Sequence, residues 1–173
     1  MCNNIRVGKR GSRQPHDSAA FLLAQVGAHA AARFAQRLAP LGLSPPHAGI
    51  LRVLGGSAGV SQQWLASLLK IHPSRLVAII DELEALDLVE RRENPDDRRV
   101  HSIHLTKKGE GTLGEIGRIG REHSEALLKA LKQKEREELV RLLRAVADEQ
   151  GLTPGIHPGY SHLGPPRTEE ETP

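Results

Sequence analysis

Nine histidines, one cysteine and an arginine-rich segment carry the chemistry open to this chain. A metal site on a helix needs two histidines at i and i+4, and no such pair occurs; His101 and His104, three apart on a strand, would face opposite sides. Cys2 stands alone in a loose head, so an intramolecular disulfide is excluded, and no helix lies near to lower its pKa. No glycine-rich phosphate loop, catalytic dyad or nucleophile elbow is present. The sequence therefore points away from an enzyme and implies neither a metal nor a bound cofactor.

What remains is cationic. Segment 91–108 holds Arg91, Arg92, Arg98, Arg99, Lys107 and Lys108 against Glu93, Asp96 and Asp97. A projecting tip of that sign suits the narrow, electronegative minor groove of duplex DNA. Asp97 beside it has a use if it hydrogen-bonds an arginine and fixes the direction of the guanidinium.

Such a tip must be held by strands. LVERR (88–92) and VHSIHL (100–105) read as a pair joined by ENPDDRR, whose Asn-Pro-Asp-Asp run favours a turn. Before them come two short helices. Ser61 caps the first, with Trp64, Leu65, Leu68 and Leu69 on one face, and it ends near Lys70; Pro73 opens the second, in which Leu76, Ile79, Ile80, Leu83 and Leu86 mark the buried face. Two helices, a tight turn and a strand hairpin make a winged helix-turn-helix, whose second helix can enter a major groove. The first half of that helix has Ser74 and Arg75 and no acid, whereas Asp81, Glu82, Glu84 and Asp87 crowd its end, so its positive amino end suits phosphate. Ser74, Arg75 and Ala78, with His72 at the helix start, are the expected contacts there, and Arg91, Arg92, Asp97, Arg98 and Arg99 those of the wing.

Longer helices flank this unit. Asp17 or Ser18 caps one reaching about Leu38, with a polar stripe of Gln25, His29, Arg33 and Arg37 opposite Phe21, Ala24, Ala28, Ala31, Ala35 and Leu38. The stripe argues against an export signal, whose core is not striped. Ser44 and Pro45 start the next helix, which ends near Gly55. Thr106 begins a helical region to about Leu131, and a last helix, Lys134 to Glu149, turns Leu139, Leu142, Leu143 and Val146 inward. Gly111, Gly114, Gly117 and Gly120 recur within the fifth helix, as either a compliant shaft or a face for close packing.

The run LGLSPPHAGILRVL (41–54), SRLVAIIDELEALDLVERR (74–92) and NPDDRRVHSIHLTKKG (94–109), above all LVERR, DDRR and LTKKG in that order, resembles the multiple antibiotic resistance regulator (MarR) family. With the flanking helices the resemblance covers about residues 17–150. It implies a homodimer in which the first and last two helices of each chain intertwine, a winged domain reading an inverted repeat in a promoter, and repression relieved by a small effector. It also implies that Asp97 positions the wing arginine, that Arg99 enters the minor groove, and that an effector pocket lies near the first two helices, where His29, Arg33, His47, Arg52 and Trp64 are candidates for a small anion or aromatic acid. Asp87 departs from the pattern, since the family often has glycine at the end of the recognition helix.

The expected fold is thus mainly helical, with about six helices and a two-stranded wing. Residues 1–16, with Arg6, Lys9, Arg10 and Arg13 and no acid, form a disordered basic head; 17–43 and 107–150 form the dimerisation region; 44–106 the DNA-binding domain; and 151–173, rich in glycine and proline, a disordered tail. No run approaches the ~18 apolar residues of a membrane span, so a cytoplasmic protein is expected. A winged-helix interaction module that does not read DNA and a metal-dependent regulator are the competing readings.

Overall fold

The computed structural model describes residues 18–57, 59–93 and 101–157. The elements begin where short-range chemistry starts them. Ser18 Oγ accepts the Phe21 N–H at 3.2 Å and opens α1 (Ala19–Leu38), which runs into one 3-10 turn closed by Gly42 at φ +68°. Pro45 occupies the first position of α2 (Pro45–Gly55), where its missing N–H costs nothing. Ser61 Oγ accepts the Trp64 N–H at 3.1 Å at the start of α3 (Gln62–Leu69), and Pro73 begins α4 (Pro73–Ala85). Strands β2 (Val89–Glu93) and β3 (His101–Leu105) follow, then α5 (Lys107–Leu127), capped by Thr106, and α6 (Gln133–Glu149).

The sheet has three strands rather than two. Val60–Ser61 forms β1, and the antiparallel order is β1-β3-β2, with Val60 opposite Ile103 and Arg91 opposite the same residue from the other side. A two-residue strand has no periodicity to read. It exists because β3 offers an edge just where the chain enters α3. Leu51, Leu65, Leu69, Leu76, Ile79, Ile80, Leu83, Val89 and Ile103 are all sealed from solvent between the three short helices and the sheet. Each such side chain contributes roughly 1.5–3 kcal/mol.

The outer helices differ from expectation in which faces they cover. Of the expected inward set of α6, Leu142, Leu143 and Val146 are exposed in the single chain and Leu139 is half-buried, and no residue of α6 is buried. Leu22, Leu23 and Val26 of α1 are exposed as well. His29, Arg33 and Arg37 of the polar stripe line a cleft with α5, His29 and Arg33 remaining exposed, while Phe34 and Leu38 reach the core. Along α5, an added Cβ at Gly111, Gly114 or Gly120 meets nothing within 4 Å, and at Gly117 only the Arg121 guanidinium at 3.6 Å, so packing among the described residues does not account for the series. Residues 151–157, placed by the sequence in the tail, run as turns that set Ile156 against the core, and Arg52 donates to the Gly155 carbonyl. Among the described residues, no helix is long and apolar enough to cross a membrane.

Candidate nucleic-acid interface

The amino end of α4 is the open one. His72, its N-cap, has Nδ1 2.8 Å from Ser74 Oγ, and both residues are exposed. Arg75 is half-buried and leans back along the helix, its Nη1 3.9 Å from Glu82 Oε1. Ala78 is half-buried. Val77, absent from the expected contacts, is 42% exposed on the same helix. An apolar residue there escapes notice in a sequence because it reads as core, yet it can touch a thymine methyl in a major groove.

The acidic end of α4 holds its neighbours in place. Glu82 Oε2 sits 2.9 Å from Nε2 of His47, which is buried in α2. The Nδ1 of His47 accepts the Ser44 N–H at 3.1 Å, so the ring proton resides on Nε2 and is donated to Glu82. Burial holds the His47 pKa below its usual value against the pull of the carboxylate. The ring therefore stays neutral while clamping α2 to the recognition helix.

Asp81 and Glu84 hold the wing. The Arg91 guanidinium is bonded to both carboxylates, and the Arg91 N–H donates to Glu84 Oε1 at 3.3 Å. This differs from the expectation that Arg91 meets DNA: the residue is largely covered and acts as the tie between β2 and α4. Its neighbour Arg92 points to the other side of the strand, more exposed, with Nε donating to Glu90 Oε1 at 2.9 Å. The remaining wing candidates, Asp97, Arg98 and Arg99, lie outside the described residues.

At the carboxyl end of α4, Asp87 takes the left-handed conformation with φ +58°. Its N–H donates to the Glu84 carbonyl at 2.9 Å and the Leu88 N–H to that of Leu83 at 3.0 Å, the bonding of a Schellman cap. Thr106 Oγ1 donates to the Asp87 carbonyl at 2.7 Å and Lys108 Nζ to that of Leu86 at 2.7 Å, satisfying carbonyls that the helix end leaves open. The recognition helix is thus fixed to α2, to β2 and to the start of α5.

The five effector candidates do not form one pocket. His47 is spent on Glu82 and Ser44, Arg52 on the Gly155 carbonyl, and Trp64 is 45% exposed on α3, whose core face is Leu65, Ala66 and Leu69. Only His29 and Arg33 meet, in the cleft against α5. Among the described residues, no group of three or more His, Cys, Asp or Glu side chains is placed to hold a metal ion.

Residues 41–100 match the family model described as MarR family. A regulatory protein of Thauera aromatica, described as putative for the hcr operon, is 29% identical over 113 residues, 65% of this chain and 68% of its own. The transcriptional repressor CouR, solved on a 23-mer DNA duplex, superposes with a TM-score of 0.67 at 29% identity over 75% of this chain and 92% of its own. The apo form of MarR from E. coli has a TM-score of 0.68 over 75% of this chain and 96% of its own; at 24% identity it speaks for the fold alone.

Proposed function

We propose that the chain is a winged helix-turn-helix transcription regulator of the MarR family, and that it binds a promoter as a homodimer and represses transcription until a small molecule releases it. That it is a DNA-binding transcriptional regulator follows from the family; the inverted repeat, the repression and its relief are our reading. One observation carries it: the amino end of α4 is open and free of acid, with Ser74 exposed, while every carboxylate of the second half except the cap residue Asp87 is bound to a histidine or arginine of the scaffold. That arrangement presents the positive helix end to phosphate and keeps the negative charge occupied.

The wing supplies the second contact. Arg99 enters the minor groove, Asp97 orients it, and Arg98 and Arg92 serve the backbone. The dimer is supported by the apolar faces that α1 and α6 leave uncovered, Leu22, Leu23 and Val26 on one and Leu142, Leu143 and Val146 on the other. Its relatives being transcription regulators, we assign the chain a binding rather than a catalytic role, in the cytoplasm.

Fluorescence anisotropy with the duplex upstream of its own gene, for wild type and Arg99→Ala across a salt series, tests this. If the dimer contacts about eight phosphates, log K falls against log salt with a slope of roughly −7. Arg99→Ala is expected to weaken that duplex by about 1–3 kcal/mol and random DNA less. Absence of salt-dependent binding to any duplex would defeat the reading.

A further inference from the structure

The chain beyond α6 is steered back onto the winged head. Gly151, at φ +64°, closes α6 with its N–H on the Asp148 carbonyl at 3.0 Å, and the Leu152 N–H donates to that of Ala147 at 3.0 Å, the bonding of a Schellman cap. A turn follows in which the Ile156 N–H meets the Thr153 carbonyl at 3.1 Å and Gly155 is again left-handed, at φ +75°. Glycine thus stands at both points where the path needs φ above zero. The Gly155 carbonyl accepts from the Arg52 guanidinium in the last turn of α2, and Ile156, half-buried, packs against the core.

The segment lies against the turn between α3 and α4. Leu152, Thr153, Ile156 and His157 face Leu69 and Lys70 across a space of about 100 Å³. Lys70 there takes φ +53°, a left-handed conformation that costs any residue with a Cβ and persists only where its surroundings hold it. The Lys70 N–H donates to the Ser67 carbonyl at 3.3 Å and the Ile71 N–H to that of Ala66 at 3.1 Å. Because His72 then caps α4, the direction of the recognition helix is set at this turn. No residue of α6 is buried, and the segment after it supplies a tie between the far end of that helix and the head.

We infer that residues 151–157 form a strap that positions the recognition helix, with Ile156 as its anchor and Arg52 as its latch. Seated, the strap holds the α3–α4 turn and with it the angle of α4; released, it frees the head to leave the angle that DNA requires. Neither residue needs to touch DNA. The DNA consequence rests on the regulator reading, whereas the hold on the turn does not.

The test compares the full wild-type chain with Ile156→Ser, Ile156→Val and Gly155→Ala, reading amide hydrogen exchange by NMR and binding to the duplex upstream of its own gene by anisotropy. Ile156→Ser is expected to exchange about five-fold faster at Lys70 and Ile71, with Ile116 and Ile119 of α5 unchanged, and to bind the duplex about five-fold more weakly. Ile156→Val keeps the apolar anchor and should stay within about two-fold of wild type in both. Gly155→Ala adds a methyl where nothing lies within 4 Å, so it strains the left-handed backbone alone and should move both readouts in the direction of Ile156→Ser. Unchanged exchange at the turn in Ile156→Ser, or exchange that rises equally through α5, overturns the strap. Faster exchange at the turn with undiminished binding overturns its part in positioning α4. A wild type that binds no duplex is a failure of the regulator reading and removes the DNA role with it, while exchange at Lys70 and Ile71 still decides the hold on the turn.

Discussion

Two alanine substitutions two residues apart in the first turns of α5 are expected to act in opposite directions. At Gly109 an added Cβ would lie 2.0 Å from the Leu88 carbonyl oxygen, 3.0 Å from its carbon and 3.3 Å from Leu105 Cδ2. Carbon and oxygen approach comfortably only to about 3.3 Å, so helix and strand must part by roughly 1 Å. The oxygen cannot simply swing aside, because it accepts the Thr106 N–H at 3.2 Å, while Thr106 Oγ1 accepts the Gly109 N–H at 3.0 Å. Overpacking of this kind costs about 1–3 kcal/mol and a lost hydrogen bond about 1 more, against a gain of up to ~1 from helix propensity. Gly109→Ala is therefore expected to lose about 2 kcal/mol. Gly111→Ala meets nothing within 4 Å and keeps the propensity gain of about 1 kcal/mol. At the scale of roughly 3 °C per kcal/mol for a chain of this size, Tm moves about 6 °C down in one and about 3 °C up in the other, at matched protein concentration. Because Leu88 and Thr106 tie α4 to α5, Gly109→Ala should also weaken DNA binding, whereas Gly111→Ala should not. A neutral or stabilising Gly109→Ala would refute the close approach. A destabilising Gly111→Ala whose effect fades at high protein concentration would place the glycine row against the partner protomer.

Two further outcomes follow from the same geometry. Asp87→Gly removes a side chain from a left-handed position without disturbing the backbone bonds of the cap, and should raise stability by about 1 kcal/mol in urea melts. His47 and His123 both have pKa values held below the ordinary 6.5 in the fold, so the unfolded chain binds more protons as pH drops; stability is expected to be level above about 6.5 and to fall below it. His47→Gln should remove part of that decline between pH 7.5 and 5.5, and an unchanged slope would mean that the ring is not held neutral by burial.

The order of helices and strands was legible because it is written in short-range signals: Ser18, Ser61 and Thr106 each cap within three residues, and Pro45 and Pro73 set φ where a helix begins. The spacing of Leu76, Ile79, Ile80 and Leu83 likewise fixes the buried face of α4, since hydrophobic burial follows helical period whatever lies opposite. Trp64 was misread because α3 is only two turns long, too short for periodicity to choose between adjacent faces.

What only the tertiary structure decided is which polar groups meet. Arg91 looked like the other wing arginines until the register of β2 against α4 set it between Asp81 and Glu84, and His47 looked like a ligand for an effector until α2 brought it to Glu82, 35 residues away. Arg33 and Arg37 read only as members of a polar stripe until α5 came to lie beside them. The physical reason is one of range. Caps and apolar periodicity are satisfied within a turn or two of the same chain, so sequence determines them, while a charge takes its role from whichever partner long-range packing delivers, and nothing in its own neighbourhood specifies that partner.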